Sequence, residues 1–527
     1  MKPMSNLARR EDGFTMGIVL IGTFIATAVA TVALAAATND LNGNRNDLDQ
    51  KQSYEAAQAG INDYIFHLNN DSNYWTKCTN VPTPHAVNNM GSTTQRRFVA
   101  GSTTASYAIE LIPATNKTAC STADPVGSMI EPTGPMMGTF RIRSTGYAGK
   151  EKRSIVAQVK RASFLDYVYF TQYETSDPVT YGDPQTVADA SAECETWRRD
   201  GRILPDYSLS PPRVYCNVIT FPSFDNVKGP LHTNDDLMVC GTPTFGRGPQ
   251  DVIEVSAPPP GWQSLSSGCV GAPIFKGTYV TNAPVLTPPP TNGEIKTVAQ
   301  PSYKFDGNNI IFLNGNAMQV FDGTSWTNMA QPSNGVIYVS NDQTKPCSTA
   351  YSPFTATYFD STSGCGNVYV AADTAGYNQP LTIAAENDVI IYDDIVRAGG
   401  SPGVLGLVAN NFVRVKHEYP NETLDSCGSN TGEVGQTNLR IDAAIMAINH
   451  SFIVDHYDCG ADLGTLTING AIAQKFRGPV GTFGGSGRTG YAKDYNYDDR
   501  LRYMAPPYFL DPVEAAWHVQ RETLDFP

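Results

Sequence analysis

Charge is scarce in this sequence: Asp, Glu, Lys and Arg make up only 17% of 527 residues, for a net charge of −14. Lys and Arg never stand more than two in a row. That excludes the basic stripe or patch through which a protein grips nucleic acid, and the acidity serves solubility instead. No C-x-x-C pair occurs, which disfavours a zinc ribbon or a thioredoxin-type redox motif. There is no G-x-x-x-x-G-K-[ST] loop and no H-E-x-x-H helix, so neither a P-loop nucleotide site nor a zincin metal site is present. The glycine-rich stretch Gly484–Gly490 (GGSGRTG) lacks the strand–Ser–helix context of a nucleophile elbow and reads as a loop. No cofactor is expected.

Charge is missing altogether from Gly13 to Thr38, GFTMGIVLIGTFIATAVATVALAAAT. That is long enough for a membrane-spanning helix, which needs about 20 apolar residues and must satisfy its backbone internally. Lys2, Arg9 and Arg10 precede it, so the expected topology is a single pass with the N-terminus cytoplasmic. The bulk of the chain then lies at the cell surface. A cleaved secretory signal competes with this reading, with Ala35-Ala36-Ala37 as the cleavage site.

Arg9–Gly17, RREDGFTMG, resembles a type IV prepilin leader. In that family a short basic leader ends in Gly before Phe and a prepilin peptidase cuts between them. The matching processing site is Gly13 and Phe14. The family's Glu at the fifth mature position is replaced here by Ile18, a departure that resembles minor pilins at a filament tip. Gln50–Asn70, QKQSYEAAQAGINDYIFHLNN, is similar to the A-E-A-G segment of PilX-like minor pilins. Its Ala56, Ala57, Ala59, Gly60, Ile61, Tyr64, Ile65 and Leu68 follow helical spacing. The resemblance implies a minor or tip subunit of a type IV pilus-like or pseudopilus assembly, structural rather than enzymatic, and aromatic and Asn-rich surfaces add an expectation of adhesion. The implied partners are the membrane, prepilin peptidase, other pilin subunits and a surface carbohydrate or protein ligand.

The ten cysteines, Cys78, Cys120, Cys194, Cys216, Cys240, Cys269, Cys347, Cys365, Cys427 and Cys459, all lie beyond the uncharged run. In an exported chain they read as five disulfides. Sequential pairing closes five local loops: Cys78–Cys120, Cys194–Cys216, Cys240–Cys269, Cys347–Cys365 and Cys427–Cys459. The count itself allows other connectivities.

The remainder reads as mainly β. Alternating stretches at Ala105–Ile112, Gly138–Ala148 and Lys152–Phe164 predict half-buried antiparallel strands. The expected order is a leader (1–13), a transmembrane helix (14–38), its outward continuation (39–70) and a small antiparallel β head (71–165). An irregular Pro-rich region (166–300) follows, then a β-solenoid-like, parallel β-helix body (301–503) and a C-terminal tail (504–527). The body rests on a faint repeat of strand, Asn-containing turn and strand, with Asn234, Asn387, Asn410 and Asn449 in the turns. Such coils stack to bury a core that none buries alone, and stacked Asn adds an amide ladder. A β-sandwich with Asn-rich turns is the alternative.

Three groups carry candidate chemistry. Asp494, Asn496 and Asp498 mimic the first half of a calcium loop, although Asp499 stands where an EF-hand needs Gly. His450 and His456 lie near Asp455 and Asp458 in sequence and read as turn residues. Asp393, Asp394, Asp442 and Asp455 would line the groove of a carbohydrate-active enzyme on a β-helix, where paired carboxylates stand roughly 5–9.5 Å apart. That membrane-anchored enzyme and a stand-alone anchored adhesin are the alternative functions.

Overall fold

The computed structural model describes residues 14–71, 74–78, 87–89, 95–131, 139–181, 194–195, 197, 218–264, 269–420, 422, 427–428, 432–484, 487–502, 504–513 and 517–525. The chain divides into two compact units. One comprises Met1–Glu131, Thr139–Lys160 and Trp517–Pro527; the other comprises Pro132–Gly138 and Arg161–Ala516.

The smaller unit is a helix on a sheet. In the helix Phe14–Asn70, Ala56, Ala57, Ile61, Tyr64 and Leu68 are buried. Their spacing makes one apolar stripe, and it meets the antiparallel strands Ser106–Ile112, Phe140–Ala148 and Glu151–Arg161. Phe140–Ala148 alternates buried and half-buried residues along its length, the period of a pleated strand with one face on a core. Ile109, Phe140, Ile142, Ile155, Ala157 and Val159 join the helix stripe in that core. Gly146 makes the close approach possible, because a Cβ there would strike the Ser53 carbonyl oxygen and the Ala57 amide nitrogen.

The sheet has a further strand from the far end of the chain. Trp517–Asp525 pairs at the edge beside Glu151–Arg161. The Trp517 N–H donates to Asn69 Oδ1 at 2.7 Å, and Arg143 bridges Glu110 at 3.0 Å and Asp525 at 2.7 Å. Part of the stretch read as a C-terminal tail therefore belongs to the head sheet, and almost all of the larger unit is inserted between two neighbouring strands.

In the larger unit most strands pair in parallel. Val336–Ser340, Leu381–Ala385, Leu405–Ala409, Ala444–Ala447 and Asp462–Gln474 lie side by side. Their register stacks like on like: Ile383 opposite Leu407, Leu407 opposite Ile445, and Ile445 opposite Ile472. A second sheet runs through Asn309–Gly315, Val368–Tyr377, Val389–Ile391, Val413–Val415 and Phe452–Val454. Apolar residues from both sheets share one core.

Two expectations are corrected. The body is not a closed solenoid. Among the described residues its strands separate into sheets of sixteen, seven, three and two strands, and Asp462–Gln474 forks. Its first part pairs with Gly487–Tyr497, while Ile472–Gln474 pair with Tyr169–Thr171. A solenoid would keep coils in chain order, whereas here residues 169–171 stand against residues 472–474. Antiparallel hairpins at Asn309–Ala330 and Gly481–Tyr497 add further departures.

The second correction concerns the N-terminal helix. Among the described residues no helix is long and apolar enough to cross a membrane. The transmembrane helix over 14–38, and with it the single-pass anchor, cytoplasmic N-terminus and cell-surface bulk, are corrected on this finding.

Candidate functional site

The N-terminal helix exposes Leu20, Ile21, Phe24, Ile25, Val29 and Val32, with Phe24 76% exposed. The Thr27 and Thr31 hydroxyls donate to backbone carbonyls one turn earlier, at Thr23 and Thr27, so the polar groups of this stretch are spent on the helix itself. A broad face of large exposed apolar side chains on a helix requires a cover. Of the processing site, Phe14 begins the helix and Gly13 lies outside the described residues.

A separate feature is built in the larger unit, where turns stack between its sheets. Asn411 Nδ2 donates to Asn387 Oδ1 at 2.5 Å and Asn387 Nδ2 to Asn367 Oδ1 at 2.6 Å. Asn367 Oδ1 also accepts from the Asp388 amide at 3.1 Å. The ladder is thus polarised toward Asn367. Of the Asn residues expected in the turns, Asn387 is a rung. Asn410 instead donates to the Glu386 carbonyl and accepts from the Asn292 amide, and Asn234 binds Leu286 on another part of the unit.

Beside the ladder lies Arg414, only 7% exposed. It reaches Asp455 Oδ2 at 3.0 Å and Asp388 Oδ2 at 3.3 Å. Its guanidinium also sits 4.2 Å from the centre of the Tyr351 ring, and the Tyr351 hydroxyl donates to Asp455 at 2.5 Å. Burial opposes the Arg414 charge, yet Asp455, Tyr351 and Asp388 hold its pKa above the usual value. Burial pushes the Asp388 carboxyl up, against the pull of Arg414. Burial, aided by Asp455, likewise raises the Tyr351 hydroxyl.

The Cys347–Cys365 disulfide clasps the segment above this network. Between segment and network is a cavity of about 400 Å³, lined by Tyr351, Tyr358, Asn308, Asn367, Asp388 and Arg414 among others. None of these was a candidate from sequence. Arg414 had a legible signal, a cation in the apolar strand Val413–Val415, which is buried throughout.

The sequence-derived groups fall elsewhere. Asp494 pairs with Lys228 at 2.5 Å, Asn496 donates to the Asp494 carbonyl and Asp498 pairs with Arg500. Asp442 is held by Arg440 and by Asn469, Asp394 accepts from the Arg440 amide, and Asp393 accepts from the Asp394 amide. Asp455 belongs to Arg414, so the four carboxylates do not converge. His450 bonds Asp177 at 3.1 Å and His456 bonds Glu422 at 2.5 Å. Glu422, Asp458 and Cys459 bring ligand atoms within 4.8 Å of one another, but Cys459 is bonded to Cys427 and has no thiolate to offer a metal.

Disulfides Cys78–Cys120, Cys240–Cys269, Cys347–Cys365 and Cys427–Cys459 are closed. Cys194 is also disulfide-bonded, and Cys216 lies outside the described residues.

No family model matches the chain, and no curated protein matches it. Among solved structures it is similar to the competence-associated pilin ComZ from Thermus thermophilus, with 12% identity, 90% of this chain and 98% of that chain covered, and a TM-score of 0.25. A likeness at that level fixes neither fold nor role.

Proposed function

We propose that this chain is a structural, non-enzymatic subunit of a pilus-like or pseudopilus assembly, joined to sibling subunits through its N-terminal helix. The observation that carries the reading is the face of exposed apolar side chains from Leu20 to Val32, on a helix whose other half is fixed to an antiparallel sheet. Burying such side chains against helices of neighbouring subunits contributes roughly 25 cal/mol per Å² of apolar surface. The resemblance of Arg9–Gly17 to a prepilin leader supports the same partners. Processing between Gly13 and Phe14 would leave Phe14 as the first residue of the mature chain. The carboxylates of the hypothetical enzyme groove are each engaged in structural bonds, which supports a non-catalytic role.

The test is recovery of the chain in filaments sheared from producing cells. The wild-type chain is expected in that fraction, with Phe14 as its first residue. Phe24→Asp is expected to be lost from it while remaining folded in the cell extract. Equal recovery of both proteins would refute the reading.

A further inference from the structure

The cavity beneath the Cys347–Cys365 clasp has unspent hydrogen-bonding capacity of both signs. Asn308 is 6% exposed; its Nδ2 donates to the Asp360 carbonyl at 2.6 Å, yet its buried Oδ1 has no partner. A buried polar atom left unpaired costs about 1–3 kcal/mol, so the site has a use for a donor. The amide ladder supplies the complement. Asn411 and Asn387 each spend an N–H on the next rung, whereas Asn367 Nδ2 at the end of the ladder donates to no partner among the described residues. Arg414 spends three N–H groups on Asp388 and Asp455 and keeps two of its five.

Charge narrows the ligand. The Arg414 cation is outnumbered by Asp388 and Asp455, and Asp360, another lining residue, is held below the usual carboxylate range chiefly by the Thr362 hydroxyl. The cavity therefore carries no surplus positive charge to draw an anion. It does carry fixed amide donors, a hungry amide acceptor, the hydroxyls of Ser348 and Thr357, and the ring of Tyr358. Its volume of about 400 Å³ falls in the range of small-ligand sites. A ligand that both donates and accepts at several closely spaced positions, and has an apolar face for a tyrosine ring, is a sugar.

The geometry points to a binding site for a neutral hexose or N-acetylhexosamine unit, with Asn308 and Asn367 as the acceptor and donor that select it. The site lies wholly within the larger unit and does not depend on the assembly reading. If both hold, the subunit carries a carbohydrate-binding, adhesive face.

The experiment uses the purified full-length chain and saturation-transfer NMR with free glucose, galactose, mannose, N-acetylglucosamine and N-acetylgalactosamine. At least one sugar is expected to bind. Two variants read the site: Asn367→Ala removes the ladder's terminal donor, and Thr357→Trp fills the cavity from an exposed position. Each is expected to weaken binding about tenfold or more, the loss that one well-placed polar contact or a blocked pocket produces. An unchanged thermal transition in Thr357→Trp separates a blocked site from a misfolded one. Absence of binding by every sugar at about 20 mM, far weaker than a millimolar site, would overturn the assignment. So would binding that both variants leave intact. Neither result touches the filament assay, which reads residues of the N-terminal helix.

Discussion

Trp517 stands edge-on to Phe140 with ring centroids 5.2 Å apart, although the whole of Arg161–Ala516 lies between them in sequence. Trp75 meets the same tryptophan at 6.1 Å. The head core is therefore closed by a side chain that arrives only after the insertion has been made. Trp517→Ala is expected to cost the smaller unit about 3–5 kcal/mol, the usual loss for a buried large aromatic. Hydrogen exchange resolved by segment would show it: amides of Tyr64–Leu68 and Phe140–Ala148 lose protection, while those of Leu381–Ala385 do not.

Arg414 anchors a buried network in which two carboxylates depend on one cation. Arg414→Ala leaves Asp388 and Asp455 buried without a partner and is expected to destabilise the larger unit by about 3–5 kcal/mol. Adding Asp388→Asn and Asp455→Asn to that variant removes the stranded charges and should recover part of the loss. Urea midpoints of the three proteins check the order: wild type highest, single variant lowest.

The clasp over the cavity closes a span of 18 residues. Replacing Cys347 and Cys365 together by Ser is expected to cost about 3 kcal/mol, as loop-closure entropy predicts for a loop of that length. Limited proteolysis should then cut between the two positions first, and the sugar affinity of the cavity should fall with it.

Acid sensitivity has a defined source. The hydrogen bond from Arg247, followed by Arg502, holds the Asp499 carboxyl below its usual range. Its folded pKa lies below the unfolded value of about 3.9, so its contribution is complete above that value. The contribution is lost as pH falls through the depressed folded value. Because Asp499 is 58% exposed, the pair contributes only about 0.2–1 kcal/mol. Glu174 and Asp388, both raised first by burial, act with the opposite sign but cancel between wild type and Asp499→Asn. The melting temperature of wild type should thus drop more between pH 7 and pH 2 than that of Asp499→Asn.

Much of the head was legible because its signals are local. Ala56 to Leu68 mark a helix face by spacing alone, and the alternation across Phe140–Ala148 marks a strand by period. Trp517–Asp525 gave no such signal: His518, Gln520, Arg521 and Glu522 break any apolar pattern, and the strand forms because an edge beside Glu151–Arg161 is open to it. The parallel stacking in the larger unit left its trace in the repeated strand–Asn–strand segments. Closure into a solenoid did not follow, because residues 169–171 take the place beside 472–474 that a next coil would have filled. The ladder shows the finest limit. Asn410 and Asn411 are chemically identical neighbours, and only the rotation of the turn decides which one points down the stack. Asn308, Asn367 and Tyr351 became a site through sheet register, which no window of sequence contains. The uncharged N-terminal run was read as a membrane span, whereas among the described residues no helix is long and apolar enough to cross a membrane.

The most direct measurement of the central claim is photo-crosslinking from position 24 in producing cells, with p-benzoylphenylalanine replacing Phe24. Adducts to another polypeptide are expected, mapped by mass spectrometry to an apolar helix of a sibling subunit, and they are lost when Val29→Asp is added. A reaction that yields no polypeptide adduct, with the chain recovered only as uncrosslinked monomer, would contradict it.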